Sequence, residues 1–179
     1  MGVYEALLGT GADTVFRETI DSVSVGSMPI RVQAPVSGLL VSMEDIPDPV
    51  FASGLMGATA GIWPEEGLVR APVDGVITML GEHMPYVVTM RSDDGVDVML
   101  HVGIDTVELR GDGFSVLRKK GDRVEAGMPL IQFDKFRVLS AGCRDIVVAI
   151  VTNGHGFSSA ALAGPDFVHV GDPIIGLKR

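Results

Sequence analysis

The chain lacks most of the features that mark a specialised protein class. Cys143 is its only cysteine, so no intrachain disulfide can form, and the sequence suits a reducing compartment. No apolar run approaches the roughly 18 residues that a membrane-spanning helix needs. The first residues, Met1 to Leu8, lack the basic start of a secretory signal. No lysine or arginine precedes Arg17, which leaves little for electrostatic attachment to a membrane. The expectation is a soluble cytoplasmic protein with no integral membrane segment. Positive charge is scarce: 14 Lys and Arg stand against 23 Asp and Glu, a net charge of −9. That balance argues against a nucleic-acid partner, whose phosphates require clustered cations, and permits steering of a basic protein partner. The one positive cluster, Arg118-Lys119-Lys120 with Arg123, lies in a turn-like stretch and reads as solvated surface. Neither a P-loop nor a Gly-x-Gly-x-x-Gly pattern occurs, so ATP and NAD binding are unsupported.

What is present points to a β protein. With 179 residues, 46% of them hydrophobic, the chain can bury a sizeable single core. Residues 1–29 are mixed in character and read as an N-terminal extension, with the domain running over 30–179. Short apolar runs then alternate with Gly, Pro and Asp, as in an all-β domain. Strands are expected at 38–42, 76–80, 86–90, 96–101, 130–133, 145–152 and 173–177. Residues 46–57 and 158–163 are the best candidates for short helices or turns. Two internal echoes appear. Ala34-Pro35-Val36-Ser37-Gly38 returns as Ala71-Pro72-Val73-Asp74-Gly75, and Val124-Glu125-Ala126-Gly127-Met128-Pro129 returns as Val168-His169-Val170-Gly171-Asp172-Pro173. Proline opens a strand where no ladder N–H is needed, and glycine supplies the turn. The doubled pattern predicts an antiparallel β sandwich, barrel-like in its closure, made of a duplicated motif with short helices only.

The segment Met99-Leu100-His101-Val102-Gly103-Ile104-Asp105-Thr106-Val107 carries the chemistry. His101 closes an apolar run that reads as a half-buried strand, followed at once by a glycine and soon by an aspartate. A titratable imidazole fixed in such a scaffold is a candidate nucleophile or ligand. One ring nitrogen must face outward with its lone pair free while the other donates to a fixed acceptor, for which the backbone at Gly103 is the nearest candidate. Asp105 either orients the ring or caps the bend that follows. Zinc-peptidase chemistry needs a His-x-His pair, which is absent, and His101 with Asp105 alone would hold a metal poorly. Asp134-Lys135 looks like a lipoyl attachment dipeptide, but Phe133 and Phe136 do not frame the tight hairpin required; Lys135 reads as an exposed lysine ending a strand.

These residues together resemble the glucose-type enzyme IIA component of the bacterial phosphotransferase system. The carriers are Ala34 to Gly38, Asp45-Ile46-Pro47-Asp48-Pro49-Val50-Phe51, Ala71 to Gly75, Ser92 through Val107, Gly111-Asp112-Gly113-Phe114, Lys120-Gly121-Asp122-Arg123-Val124, Gly127 and Val170-Gly171. The resemblance implies an antiparallel sandwich of duplicated motifs. It also implies a phosphoryl group received from the carrier protein HPr on His101 and passed to a cysteine of a IIB domain during sugar uptake. It places Asp105 and Asp48 as carboxylates beside the histidine, and Val50, Phe51, Leu55, Met56 and Met99 in an apolar docking patch with an acidic rim. It requires no cofactor or metal, and a monomer is the default.

The pattern departs at two places. The Gly-Asp-Gly of many members reads Gly57-Ala58-Thr59 here. The family carries a second histidine fifteen residues before the phosphoacceptor, where this chain has Tyr86. Tyr86 is expected to offer its hydroxyl to a phosphate oxygen, although it cannot carry positive charge. An alternative follows, a transfer-impaired binding or regulatory protein on the same scaffold. His83, three residues earlier, reads as an exposed loop histidine, as do His155 and His169.

Overall fold

The two echoed segments find each other. The computed structural model describes residues 22–161 and 166–179. In it, Gln33 N–H donates to the Pro72 carbonyl and Arg70 N–H to the Pro35 carbonyl, each at 2.9 Å. Each Ala-Pro segment also clasps one Val-x-x-Gly turn in the same way. Ala34 exchanges bonds with Gly171 and Asp172, and Ala71 exchanges them with Gly127 and Met128. Ser37 Oγ accepts from Val170 N–H, and Asp74 Oδ1 accepts from Ala126 N–H. The duplicated motif expected from the sequence is thus a physical near-twofold, its polar caps included.

Among the described residues fourteen strands run in chain order: β1 (Ile30–Gln33), β2 (Gly38–Val41), β3 (Ala58–Pro64), β4 (Leu68–Arg70), β5 (Gly75–Met79), β6 (Val87–Ser92) and β7 (Asp97–Ile104). They continue as β8 (Phe114–Val116), β9 (Arg123–Val124), β10 (Pro129–Phe133), β11 (Arg144–Val151), β12 (Ser158–Ala161), β13 (Asp166–Val168) and β14 (Pro173–Lys178). The helices are short: α1 (Ser22–Ser27), α2 (Pro49–Ala52) and α3 (Lys135–Ser140). An eight-stranded antiparallel sheet has the order β13-β2-β3-β11-β7-β6-β5-β9. Two three-stranded sheets, β1-β14-β12 and β4-β10-β8, share its core. This is the all-β antiparallel sandwich expected from the sequence. Leu40, Ile62, Leu100, Leu130, Ile131, Ile175 and Leu177 are fully buried in that core.

Two local expectations need correction. Residues 158–161 form strand β12, paired with β14, and not a helix; the pull of the β14 edge overrides the helical preference of alanine. Lys135 begins α3, capped by Asp134 accepting from Arg137 N–H. Its ammonium is half-buried, 3.3 Å from the buried Asp145 carboxylate and bonded to the Pro64 carbonyl. It therefore neither ends a strand nor stands exposed. Of the expected extension, residues 1–21 lie outside the described residues, while Val25 of α1 is fully buried in the main core. No described helix is long and apolar enough to cross a membrane.

Candidate functional site

Strand β7 carries the site. Val98, Leu100 and Val102 point into the main core, whereas Met99 and His101 are half-buried on the opposite, outer face, as a period of two dictates. Register places His101 in a cross-strand row of Val41, Gly61, Val148, His101 and Val87. That outer face is apolar and is covered by a second, smaller core. Ile46, Phe51, Ile104, Ile146, Val148 and Ile150 are buried there, flanked by Met56, Trp63 and Met99. Residues 43–56 form the cover. Asp48 fixes it by accepting from Val50 N–H at 2.8 Å and Phe51 N–H at 3.1 Å, with Pro49 next in the first turn of α2. The capped turn brings the Phe51 ring against His101, centroids 5.1 Å apart.

The β ladder breaks beside the histidine. Pairing of β11 with β7 shifts between Arg144 and Val147, and Gly103 adopts φ +78°. A β-carbon at Gly103 would lie 2.3 Å from Thr106 Cγ2 and 2.7 Å from the Arg144 carbonyl oxygen, so only glycine makes this bend. The bend turns the Gly103 carbonyl back to the ring, 2.8 Å from His101 Nδ1. A carbonyl only accepts, so Nδ1 holds the proton and Nε2 keeps its lone pair. The backbone acceptor is the one the sequence pointed to. Burial pushes His101 below its ordinary value of 6.5; the Gly103 bond and the Asp48 charge pull the other way, and burial prevails. The neutral ring is the resting form at pH 7.

Asp105 follows in a left-handed conformation, φ 63°. Its exposed side chain makes no capping bond to the 3-10 turn Thr106–Leu109, so the bend is held otherwise. Thr106 Oγ1 donates to the Val102 carbonyl at 2.9 Å, and Cys143 Sγ lies 3.5 Å from the Asp105 carbonyl. A cleft of about 350 Å³ is lined by Asp48, Val50, Phe51, Met56, Met99, His101, Ile104, Asp105, Thr106 and Val107. Seven of the nine residues singled out from sequence therefore meet in one place.

The other two sit beside it. Leu55, 91% exposed, projects from the turn after α2. Tyr86 is 7% exposed and does not line the cleft. Its ring lies 5.7 Å from the His101 ring and 6.3 Å from Phe114, so it abuts the imidazole from the side of the main core. Val87, not Tyr86, stands opposite His101 in the ladder. His83 and His155 are exposed, and the exposed His169 ring lies 3.7 Å from the Asp172 carboxylate. Ile104, Thr106 and Val107 complete the cleft without having been singled out. Their signal was position alone: each adjoins the strand end and bend that carry His101 and Asp105.

Comparison with known proteins gives one consistent family. The family model described as phosphoenolpyruvate-dependent sugar phosphotransferase system, EIIA 1, matches residues 30–157. A glucose-specific EIIA component from Staphylococcus epidermidis is 40% identical over 124 residues, 69% of this chain and 74% of that protein. The corresponding protein of Staphylococcus aureus strain COL is 39% identical over the same length. Glucose permease IIA from Mycoplasma capricolum superposes with a TM-score of 0.70 at 25% identity, covering 82% of this chain and 94% of that one.

Proposed function

Because the chain belongs to the EIIA 1 family of the phosphoenolpyruvate-dependent sugar phosphotransferase system, we propose that it is a phosphocarrier whose acceptor atom is His101 Nε2. The supporting observation is the Gly103 carbonyl on Nδ1, which leaves Nε2 as the one nucleophilic ring atom. The donor is phospho-HPr. The Nε2 lone pair attacks phosphorus, an N–P bond forms, and the donor's own N–P bond breaks with its electron pair returning to the donor nitrogen. The proton stays on Nδ1, donated to the Gly103 carbonyl throughout, so the phosphorylated ring carries positive charge. Asp48, whose field favours a charged imidazole, stabilises that state, and Asp105 on the cleft wall does the same while repelling the phosphate. Balanced gain and loss is what a carrier needs, and phosphoryl transfer asks of the protein mainly positioning and electrostatics. In the second half-reaction a cysteine thiolate of the IIB domain attacks phosphorus and the pair returns to Nε2.

Val50, Phe51, Leu55, Met56 and Met99 supply the apolar docking patch around the ring. Tyr86 supports the imidazole from behind. Its burial against Phe114 makes it a packing and orienting group before it is a phosphate donor. A phenol there also favours a second reading, a regulatory protein that accepts phosphate but passes it on poorly.

The test is a labelled transfer chain of enzyme I, HPr, this protein and a IIB domain. The expected result is label on the wild type, none on His101→Ala, and onward transfer to the IIB cysteine. Label without onward transfer, restored by Tyr86→His, establishes the regulatory reading. Undiminished label on His101→Ala overturns both.

A further inference from the structure

The outer face of the eight-stranded sheet carries a second cross-strand row that the phosphoryl chemistry does not use. Phe167 of β13 pairs with Leu39 of β2, and Leu39 pairs with Trp63 of β3. Trp63 joins the small core that holds Ile146 and Ile104, and Ile104 lines the His101 cleft. One apolar row thus runs from the sheet edge to the base of the cleft. Ile146 and Ile104 are buried and Trp63 is partly buried, but Leu39 is 44% and Phe167 45% exposed. Among the described residues β13 is also one of the two edge strands of its sheet.

We propose that this row is the outer arm of the donor-docking surface, covered by HPr when it sits on His101. The inference rests on the phosphocarrier reading above. Strands are about 4.8 Å apart, so Leu39 stands roughly 15 Å and Phe167 roughly 19 Å from the strand of His101. A standard footprint of about 800 Å² per partner is about 32 Å across, so it spans His101 and both residues when it is centred between the cleft and the sheet edge. Charge selects the occupant. Exposed Glu65 and Glu66 follow Trp63, Asp166 adjoins Phe167, exposed Glu44 and Asp45 precede Ile46 of the cover, and exposed Glu108 follows Val107 of the cleft wall. None of these carboxylates forms an ion pair among the described residues. Two such faces repel each other, which disfavours a second copy of this chain; a cationic partner is attracted. The donor also has a need the acceptor lacks. It brings a phosphate into an acidic rim, and apolar contact far from that phosphate offsets the repulsion.

The test titrates unlabelled HPr into isotope-labelled protein and follows the amides of Leu39, Phe167 and the His101 cleft with the Trp63 indole. In parallel, the double variant Leu39→Ser, Phe167→Ser is assayed for phosphoryl uptake. Expected are shifts at both places, saturating together, and a KM for phospho-HPr raised about tenfold with kcat little changed, as loss of apolar contacts in docking requires. Shifts confined to the cleft with unaltered KM overturn the proposal and leave the phosphocarrier reading standing. Shifts at the row that grow with protein concentration in the absence of HPr assign it to a second copy and also overturn it. Absence of shifts everywhere, together with absence of label on His101, defeats the reading beneath it.

Discussion

The reactivity proposed for His101 rests on one hydrogen bond and on burial, not on a strong base. Because burial lowers its pKa, donor-dependent labelling should persist as pH falls below 6.5 and decline only as the folded-state value is reached. The same shift has a cost. A ring with a depressed pKa binds fewer protons folded than unfolded, so stability is unaffected well above pH 6.5 and erodes as pH falls through that value towards the folded pKa. Nitrogen NMR of the ring checks both the pKa and the tautomer, which should carry its proton on Nδ1. Gly103→Ala should cost about 2 kcal/mol or more in urea unfolding, since a side chain there meets Thr106 and a backbone carbonyl. It should also randomise the tautomer. Both residues were legible because a histidine at a strand end followed by glycine has few structural purposes. Asp105 was not. Whether it caps the bend or faces the cleft depends on its left-handed backbone, which spacing does not encode.

The cover over the outer face depends on the Asp48 cap. Asp48→Ala should lower stability by about 1 kcal/mol and loosen Phe51 from the imidazole, seen as a change in the ring-current shifts of His101. Asp48→Asn separates cap from charge. It keeps the acceptor, so stability should hold, but it removes a carboxylate that raises the His101 pKa, so that pKa should fall further. Unchanged titration in Asp48→Asn would show that the carboxylate does not act on the ring. Elements that are short apolar runs bounded by Gly, Pro or Asp, such as β2, β7 and β14, could be read from sequence. β3 could not, because Ala60-Gly61-Ile62-Trp63-Pro64 mixes small, large and breaking residues, and Gly61 makes sense only once Ile46 is seen packed over it. α3 was hidden for a similar reason: its register is set by the Lys135–Asp145 pair, a contact across the fold.

At the scale of the molecule, duplication was the most legible feature. A repeated Ala-Pro-Val-x-Gly and a repeated Val-x-x-Gly-x-Pro predict one clasp made twice, down to Ser37 and Asp74 in matching cap positions. The net charge of −9 belongs to this scale too. Uptake from phospho-HPr should slow as salt is raised from 0.05 to about 0.5 M, where the Debye length shrinks well below 10 Å, and rate against ionic strength measures it. The central claim, that one imidazole nitrogen alternates between free and phosphorylated states, has a more direct test. The protein is incubated with phosphoenolpyruvate, enzyme I and HPr, and the phosphorylated position is mapped by mass spectrometry and phosphorus–nitrogen NMR coupling. A single acid-labile phosphohistidine at His101, bonded through Nε2, is expected; phosphate on Nδ1, on another histidine, or on no residue at all would contradict it.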